Sequence, residues 1–291
     1  MSEHAISFNS QNIPLIGILH KPEHNTHKRG IVFIVGGGPQ YRAGGHRQLT
    51  LWSRRLCSEG YPVFRFDYQG MGDSYGEFKG FTDLDNNIRT AINRFTEEIP
   101  ELDEIVLWGE CDASSAILYY AYQDHRVKGI VLLNPWVRTE AGQAKTLLRF
   151  YYFHRILQLD FWKKIIKGKF NPLSSIKSIT TLLSKSRSTQ TINTQSLSDN
   201  LNKPISRSLP LTEALLLGLK QFNGPIMLIL SGKDLIAQEF NELIKSSPSW
   251  QEQLNSKSTT RYDFPDSDHT FSSAIQRNNV INRGLEWLSH W

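Results

Sequence analysis

Two cysteines in 291 residues, Cys57 and Cys111, are too few for a disulfide framework, which points to a reducing compartment. Long hydrophobic runs are also missing, and none approaches the ~20 apolar residues of a membrane span. The opening Met1-Ser2-Glu3-His4-Ala5 has neither the basic segment nor the apolar core of a secretory leader. A cytoplasmic protein is the expectation. Internal repeats are absent. Gly70-Met71-Gly72-Asp73-Ser74 is glycine-rich but lacks the Lys-Ser/Thr ending of a phosphate loop, so it reads as a structural turn. No cofactor is expected and no metal-ligand set is assigned. Hydrophobic residues make up 39% of the chain and charged residues 21%, as in a globular protein with room for one large α/β domain and an insertion.

Strand and helix patterns alternate along the chain. Residues 5–20 read as a hairpin, and Ile31-Val32-Phe33-Ile34-Val35 as a strand buried on both faces of a parallel sheet. Helical periodicity follows over 46–58, then a strand over 62–67. A helix over 82–98 is expected, capped by Thr82. Strand 105–108 runs into helix 113–122, and strand 127–133 follows. After an interruption come a helix over 209–222, a strand over 225–230, a helical piece over 240–244, a strand over 259–264 and a closing helix over 279–291. This order predicts an α/β fold with a mostly parallel central sheet and helices on both faces.

The interruption defines the expected domains: a core over 1–136, a helical cap or lid over 137–222, and the rest of the core over 223–291. The aromatic-rich stretch 147–161 is expected to be an amphipathic helix, and the polar stretch 184–204 a mobile loop. From Arg138 to Arg187 there are 11 Lys or Arg and 2 Asp or Glu, a net of +9, whereas the whole chain is +5. That charge reads either as a solvated cap face or as a lid facing an anionic substrate or membrane surface, with Tyr151, Phe161 and Trp162 at the interface. A protein peripheral to the inner membrane fits the second reading. Nucleic acid is not an expected partner, because no groove-reading or base-stacking module accompanies the charge.

Reactive residue types sit at the carboxyl ends of the expected strands, where open α/β sheets form sites. Gly109-Glu110-Cys111-Asp112-Ala113 places a thiol on a sharp strand-to-helix turn, with small residues two positions to each side. A helix N-terminus beside the sulfur favours thiolate. Cys111 is therefore the expected nucleophile, His269 its general base and Asp234 the acid that orients the imidazole. Asp263, Asp266 and Asp268 compete for the acid role, and Asp234 could simply cap a helix. Asp234 is preferred because it directly ends a buried strand well before the histidine. Backbone N–H groups of Gly37, Gly38 and Asp112 are the expected oxyanion donors. Tyr41, Trp136, Tyr151 and Trp162 are expected to contact substrate. Cys57, on an apolar helix stripe, reads as core.

Six stretches carry a resemblance. They are Gly-Gly-Gly-Pro-Gln-Tyr-Arg-Ala-Gly-Gly-His-Arg-Gln (36–48), Arg-Phe-Asp-Tyr-Gln-Gly-Met-Gly-Asp-Ser (65–74), Leu-Trp-Gly-Glu-Cys-Asp-Ala (107–113), Leu-Leu-Asn-Pro-Trp-Val-Arg (132–138), Leu-Ser-Gly-Lys-Asp (230–234) and Asp-His-Thr-Phe-Ser-Ser (268–273). The chain resembles the exosortase A system-associated hydrolases, which are α/β-hydrolases found with bacterial exopolysaccharide loci. The resemblance implies the α/β-hydrolase fold, in whose nucleophile–acid–histidine order Cys111, Asp234 and His269 fall. The resemblance does not supply a substrate; the triad itself leads to the expectation of a small acyl or lipid-like substrate, cleaved at an ester or thioester. A cysteine at the elbow is also similar to dienelactone hydrolases and to some acyl-CoA acyltransferases, which leaves acyl transfer open. A non-catalytic, membrane-associating assembly factor is the alternative of a different class.

Overall fold

Alternating side chains and a tight turn build the first edge of the sheet. In the computed structural model, which describes residues 1–24, 27–38, 40–138, 143, 204–256 and 258–290, β1 (Ser2–Ser10) pairs antiparallel with β2 (Ile13–Lys21). Gln11 and Asn12 both have positive φ, at 49° and 66°, and turn the hairpin in the sense that matches strand twist. The strands β3 (Arg29–Ile34), β4 (Val63–Asp67), β5 (Glu104–Glu110), β6 (Val127–Leu133), β7 (Ile226–Ser231) and β8 (Thr259–Phe264) complete one eight-stranded sheet. Its order is β1-β2-β4-β3-β5-β6-β7-β8. β2 runs antiparallel to β4, and every pairing from β4 to β8 is parallel.

Seven α-helices lie among the described residues: α1 (Gln48–Ser58), α2 (Asp85–Glu98), α3 (Asp112–Tyr120), α4 (Leu211–Gln221), α5 (Leu235–Ser246), α6 (Pro248–Ser256) and α7 (Ala274–Ser289). α1 and α7 pack together against an aromatic cluster on the sheet. Trp52 of α1 and Trp108 of β5 have ring centroids 5.8 Å apart, and Phe33 lies 5.4 Å from Trp108. Gly284 lets α7 approach, because a Cβ there would run into the Trp108 ring. Phe95 of α2 packs on Phe64 of β4 at 5.8 Å, with α3 and α4 alongside. The strands that carry the site therefore have fully buried central residues and few ways to shift.

Several boundaries differ from the expectations. α2 starts at Asp85 after a 3-10 turn over Phe81–Asp83, and Leu84 occupies the cap position without a side-chain hydrogen bond, so Thr82 is not the cap. α1 starts at Gln48, because His46 and Arg47 carry positive φ of 52° and 59°. α5 is longer than 240–244, since Asp234 caps it and accepts from the Ile236 and Ala237 N–H groups. α7 starts at Ala274, with Ser273 accepting from Gln276 N–H. α6 was not expected at all; Pro248 opens it and fully buried Trp250 anchors it. The helix expected over 147–161, Tyr151, Trp162 and all but the last residue of the loop over 184–204 lie outside the described residues. No helix among the described residues is long and apolar enough to cross a membrane.

Candidate active site

The turn after β5 is sharp. Cys111 sits at φ 59°, ψ −126°, a conformation that an L-residue holds only under constraint. The constraint is visible in the hydrogen bonds. Cys111 N–H donates to Leu133 O at 2.8 Å, and Cys111 O accepts from Trp136 N–H at 3.2 Å, so the end of β6 grips the turn from both sides. A Cβ at Gly109 would stand 2.8 Å from the Ala113 carbonyl carbon and from Ile117 Cδ1, which is why glycine precedes the elbow. The nearby hydroxyls are committed elsewhere. Ser114 Oγ donates to Gly109 O at 2.8 Å, and Ser115 Oγ donates to Trp136 O at 2.5 Å; both serines are fully buried.

Asp234 ends β7 and reaches across to the loop after β8, where its Oδ2 lies 2.7 Å from His269 Nδ1. The same carboxylate caps α5, so the capping and imidazole-orienting readings of Asp234 describe one group. None of Asp263, Asp266 and Asp268 makes a hydrogen bond to the His269 ring: Asp263 pairs with Arg261, Asp266 with Lys233, and Asp268 accepts from Ser272. Nδ1 is engaged by Asp234, and the Cys111 thiol and the His269 imidazole, which line the same cavity, lie close enough to shift each other's pKa. Burial opposes charge on His269, but its bonds to Asp234 and Cys111 outweigh that and hold its pKa up at about 11. Burial also pushes the Cys111 thiol up, and His269 recovers only part of the shift. Burial thus works against the thiolate that the helix N-terminus favours.

A cavity of about 540 Å³ opens over this dyad. Gly36, Gly37 and Gly38 line it, as do Cys111, Asp112, Trp136 and His269. The Trp136 ring is held by the Arg138 guanidinium, 4.6 Å from the ring centroid, which Glu239 binds in turn. Tyr41 does not line the cavity and is 59% exposed, because Arg42 anchors this stretch to Asp67 and leaves the preceding ring in solvent. Gly37, Gly38 and Asp112 do come together, with Gly37 N–H donating at 2.6 Å to the side chain of Asp112.

Several supporting residues were not foreseen. Fully buried Asn134 donates through Nδ2 to His269 O at 2.9 Å and to Ser231 Oγ at 3.0 Å, and accepts from Ser231 N–H at 2.8 Å, which ties the histidine loop to β6 and β7. Buried Asp67 accepts from Arg42 N–H at 2.5 Å and from Asp73 N–H at 3.0 Å, which pins the glycine-rich loop after β3. Glu110 accepts from Gln48 Nε2 beside the cavity, and burial pushes its carboxyl up to about 7. The only sequence signals were an Asn ending a buried strand and an Asp ahead of a Gly-rich turn.

A parallel sheet with an elbow thiol after one strand, an acid after another and a histidine after the last is the arrangement of an α/β-hydrolase. The chain belongs to the family described as serine aminopeptidase, S33, which it matches over residues 26–270. It carries Cys111 at the elbow. Among solved structures it is similar to an esterase of Pyrococcus furiosus, with TM-score 0.63 and 14% identity, covering 100% of this chain and 91% of that one. It is also similar to a highly thermostable carboxyl esterase from Bacillus coagulans, with TM-score 0.60 and 17% identity over 99% of this chain and 98% of that one. At these identities the likeness is one of fold. A third relative is the quorum-quenching protein AidA of Acinetobacter baumannii (strain MDR-ZJ06), 24% identical over 135 residues. That match covers 45% of this chain and 43% of AidA, less than half of the relative's length.

Proposed function

We propose that this chain hydrolyses an ester or thioester through Cys111, His269 and Asp234. The observation that carries the reading is the His269 ring held at 2.7 Å by Asp234, with His269 and Cys111 both lining the 540 Å³ cavity. Cys111 Sγ bonds to the substrate carbonyl carbon as His269 takes the thiol proton. The tetrahedral oxyanion then collapses, the bond to the leaving oxygen or sulfur breaks, and His269 returns the proton to that leaving group. Water attacks the resulting thioester with His269 as base, releasing the acid and restoring the thiol. The commitment of Ser114 and Ser115 to backbone carbonyls supports cysteine as the nucleophile over a neighbouring serine. Apolar lining from Ile34, Leu49, Phe81, Trp136 and Ile236 suits a small acyl or lipid-like group. The resemblance to exosortase-associated hydrolases supports a role beside bacterial exopolysaccharide assembly, and the basic insertion supports contact with an anionic membrane surface.

Intact-mass measurement during incubation with short p-nitrophenyl esters and acyl thioesters tests this. The expected result is an acyl adduct that decays in water alone and is absent in Cys111→Ala. Decay only on addition of an alcohol would replace hydrolysis by acyl transfer. An absence of both adduct and turnover across acyl lengths would refute the reading. Lack of binding to anionic liposomes at low salt would remove the membrane partner.

A further inference from the structure

A backbone donor that a tetrahedral oxyanion needs is already taken. Asp112 folds its side chain back over the elbow, and its Oδ1 accepts from Gly37 N–H at 2.6 Å. Burial pushes the pKa of this carboxyl up, and the nearby N–H groups of Gly37, Gly38 and Ala113 pull it back toward the charged form. Positive φ at Gly37 (88°) and Gly38 (78°) turns the loop so that these donors converge. A Cβ at Gly36 would stand 2.8 Å from Asp112 Oδ1, so the bare backbone there makes room for the carboxylate. The loop and the start of α3 form a nest around an anion, and the anion belongs to the chain.

An oxyanion developing on a substrate attacked by Cys111 would need these donors. Two negative oxygens cannot share them: the donors are finite, and like charges at hydrogen-bond separation repel strongly in a buried site. We propose that Asp112 is a resident surrogate for the oxyanion that keeps the Cys111 site latent, and that its carboxylate must swing off the Gly37 N–H before a tetrahedral intermediate can form. This rests on Cys111 being the nucleophile. The competing role for Asp112 is that of an acidic residue in the first turn of α3, stabilising the helix through its dipole and nothing more. The two roles predict opposite effects of removing it on oxyanion binding.

An alkyl trifluoromethyl ketone separates them without requiring turnover. Its carbonyl carbon bonds to Cys111 Sγ, the thiol proton passes to His269, and the carbonyl oxygen becomes a stable oxyanion seated at the donors. Fluorine NMR reads the hemithioketal directly. Asp112→Ala should bind the ketone at least tenfold more tightly than wild type. Asp112→Asn should fall between them, because a neutral amide oxygen accepts more weakly than a carboxylate. Equal or weaker binding in Asp112→Ala, with the adduct still abolished by Cys111→Ala, overturns the proposal and leaves the nucleophile standing. No adduct in wild type or either Asp112 variant, with all three folded by circular dichroism, removes the nucleophile and this inference with it. If the Ala variant does not fold, Asp112→Asn decides alone, and unchanged or weaker binding overturns the proposal.

Discussion

Replacing Asp234 by Asn separates two jobs that one carboxylate performs. Oδ1 accepts from Ile236 N–H at 3.0 Å; Oδ2 accepts from Ala237 N–H at 3.2 Å and meets His269 Nδ1 at 2.7 Å. Asn caps helices about as well as Asp, so its one oxygen retains part of the cap and the cap's share of the stability loss should be less than about 1 kcal/mol. Ala loses both cap bonds, and the cap's share should be about 1–2 kcal/mol, or roughly 2–8 °C in melting temperature at about 2–4 °C per kcal/mol, with the loss of the histidine's contribution below about pH 11 common to both. The catalytic losses should be alike. An amide offers His269 Nδ1 either a donor, which forces the wrong tautomer, or a neutral acceptor that cannot stabilise the imidazolium, and kcat/KM for a p-nitrophenyl ester should fall by about 10³–10⁴. The His269 ring should titrate far below its wild-type pKa of about 11. The linkage sign follows: a raised histidine adds stability that is complete below its unfolded pKa near 6.5 and is lost as pH rises through about 11. Wild type should shed that increment between those values, and the Asn variant should not. Imidazole NMR titration, thermal unfolding across pH and steady-state kinetics make the comparison. An Asn variant within tenfold of wild-type activity, or with an unmoved histidine titration, would refute the reasoning.

Other outcomes follow from the same geometry. With its pKa raised to about 11, His269 must lose a proton before it can act as a base, so kcat/KM should rise with pH along a limb above 6.5; a limb at or below the ordinary histidine value would contradict the raised His269. Asn134→Ala strands buried partners on Ser231 and the His269 carbonyl, and chemical denaturation should show a loss of about 2–4 kcal/mol with lower kcat. Gly109→Ala forces a methyl against Ala113 and Ile117, and should cost about 1–3 kcal/mol in the same assay. Burial pushes the Cys57 thiol up to about 11 with no histidine beside it, so mass mapping after brief iodoacetamide treatment should find Cys111 labelled first.

Much of the site's scaffold was legible in the linear order. β-branched runs separated by helical periods announced a parallel sheet, and Cys111, Asp234 and His269 each stood just past such a run. Boundaries were less legible. Thr82 has the chemistry of a cap, but Gly80 at φ 84° and the 3-10 turn after it delay the helix to Asp85. α6 escaped notice because its buried face rests largely on one residue, Trp250, which gives no periodic stripe. Asn134 and Asp67 were missed because their partners lie 97 and 135, or 25 and 6, residues away along the chain, and a single Asn or Asp does not name its partner.

The sequence by itself determined which atoms are available for chemistry: one thiol on a strand-to-helix turn, one imidazole after the last strand, and glycines where backbone must come close. Those follow from residue type and local period, which act over a few positions. Tertiary structure decided their state. Only burial, set by the whole packed sheet, pushes the Cys111 thiol pKa up against the helix N-terminus beneath it. Only the approach of the β3 loop to the start of α3, 75 residues apart, puts the Asp112 carboxylate on the N–H of Gly37. Charge and solvation are properties of an assembled environment, and no local stretch of chain contains them.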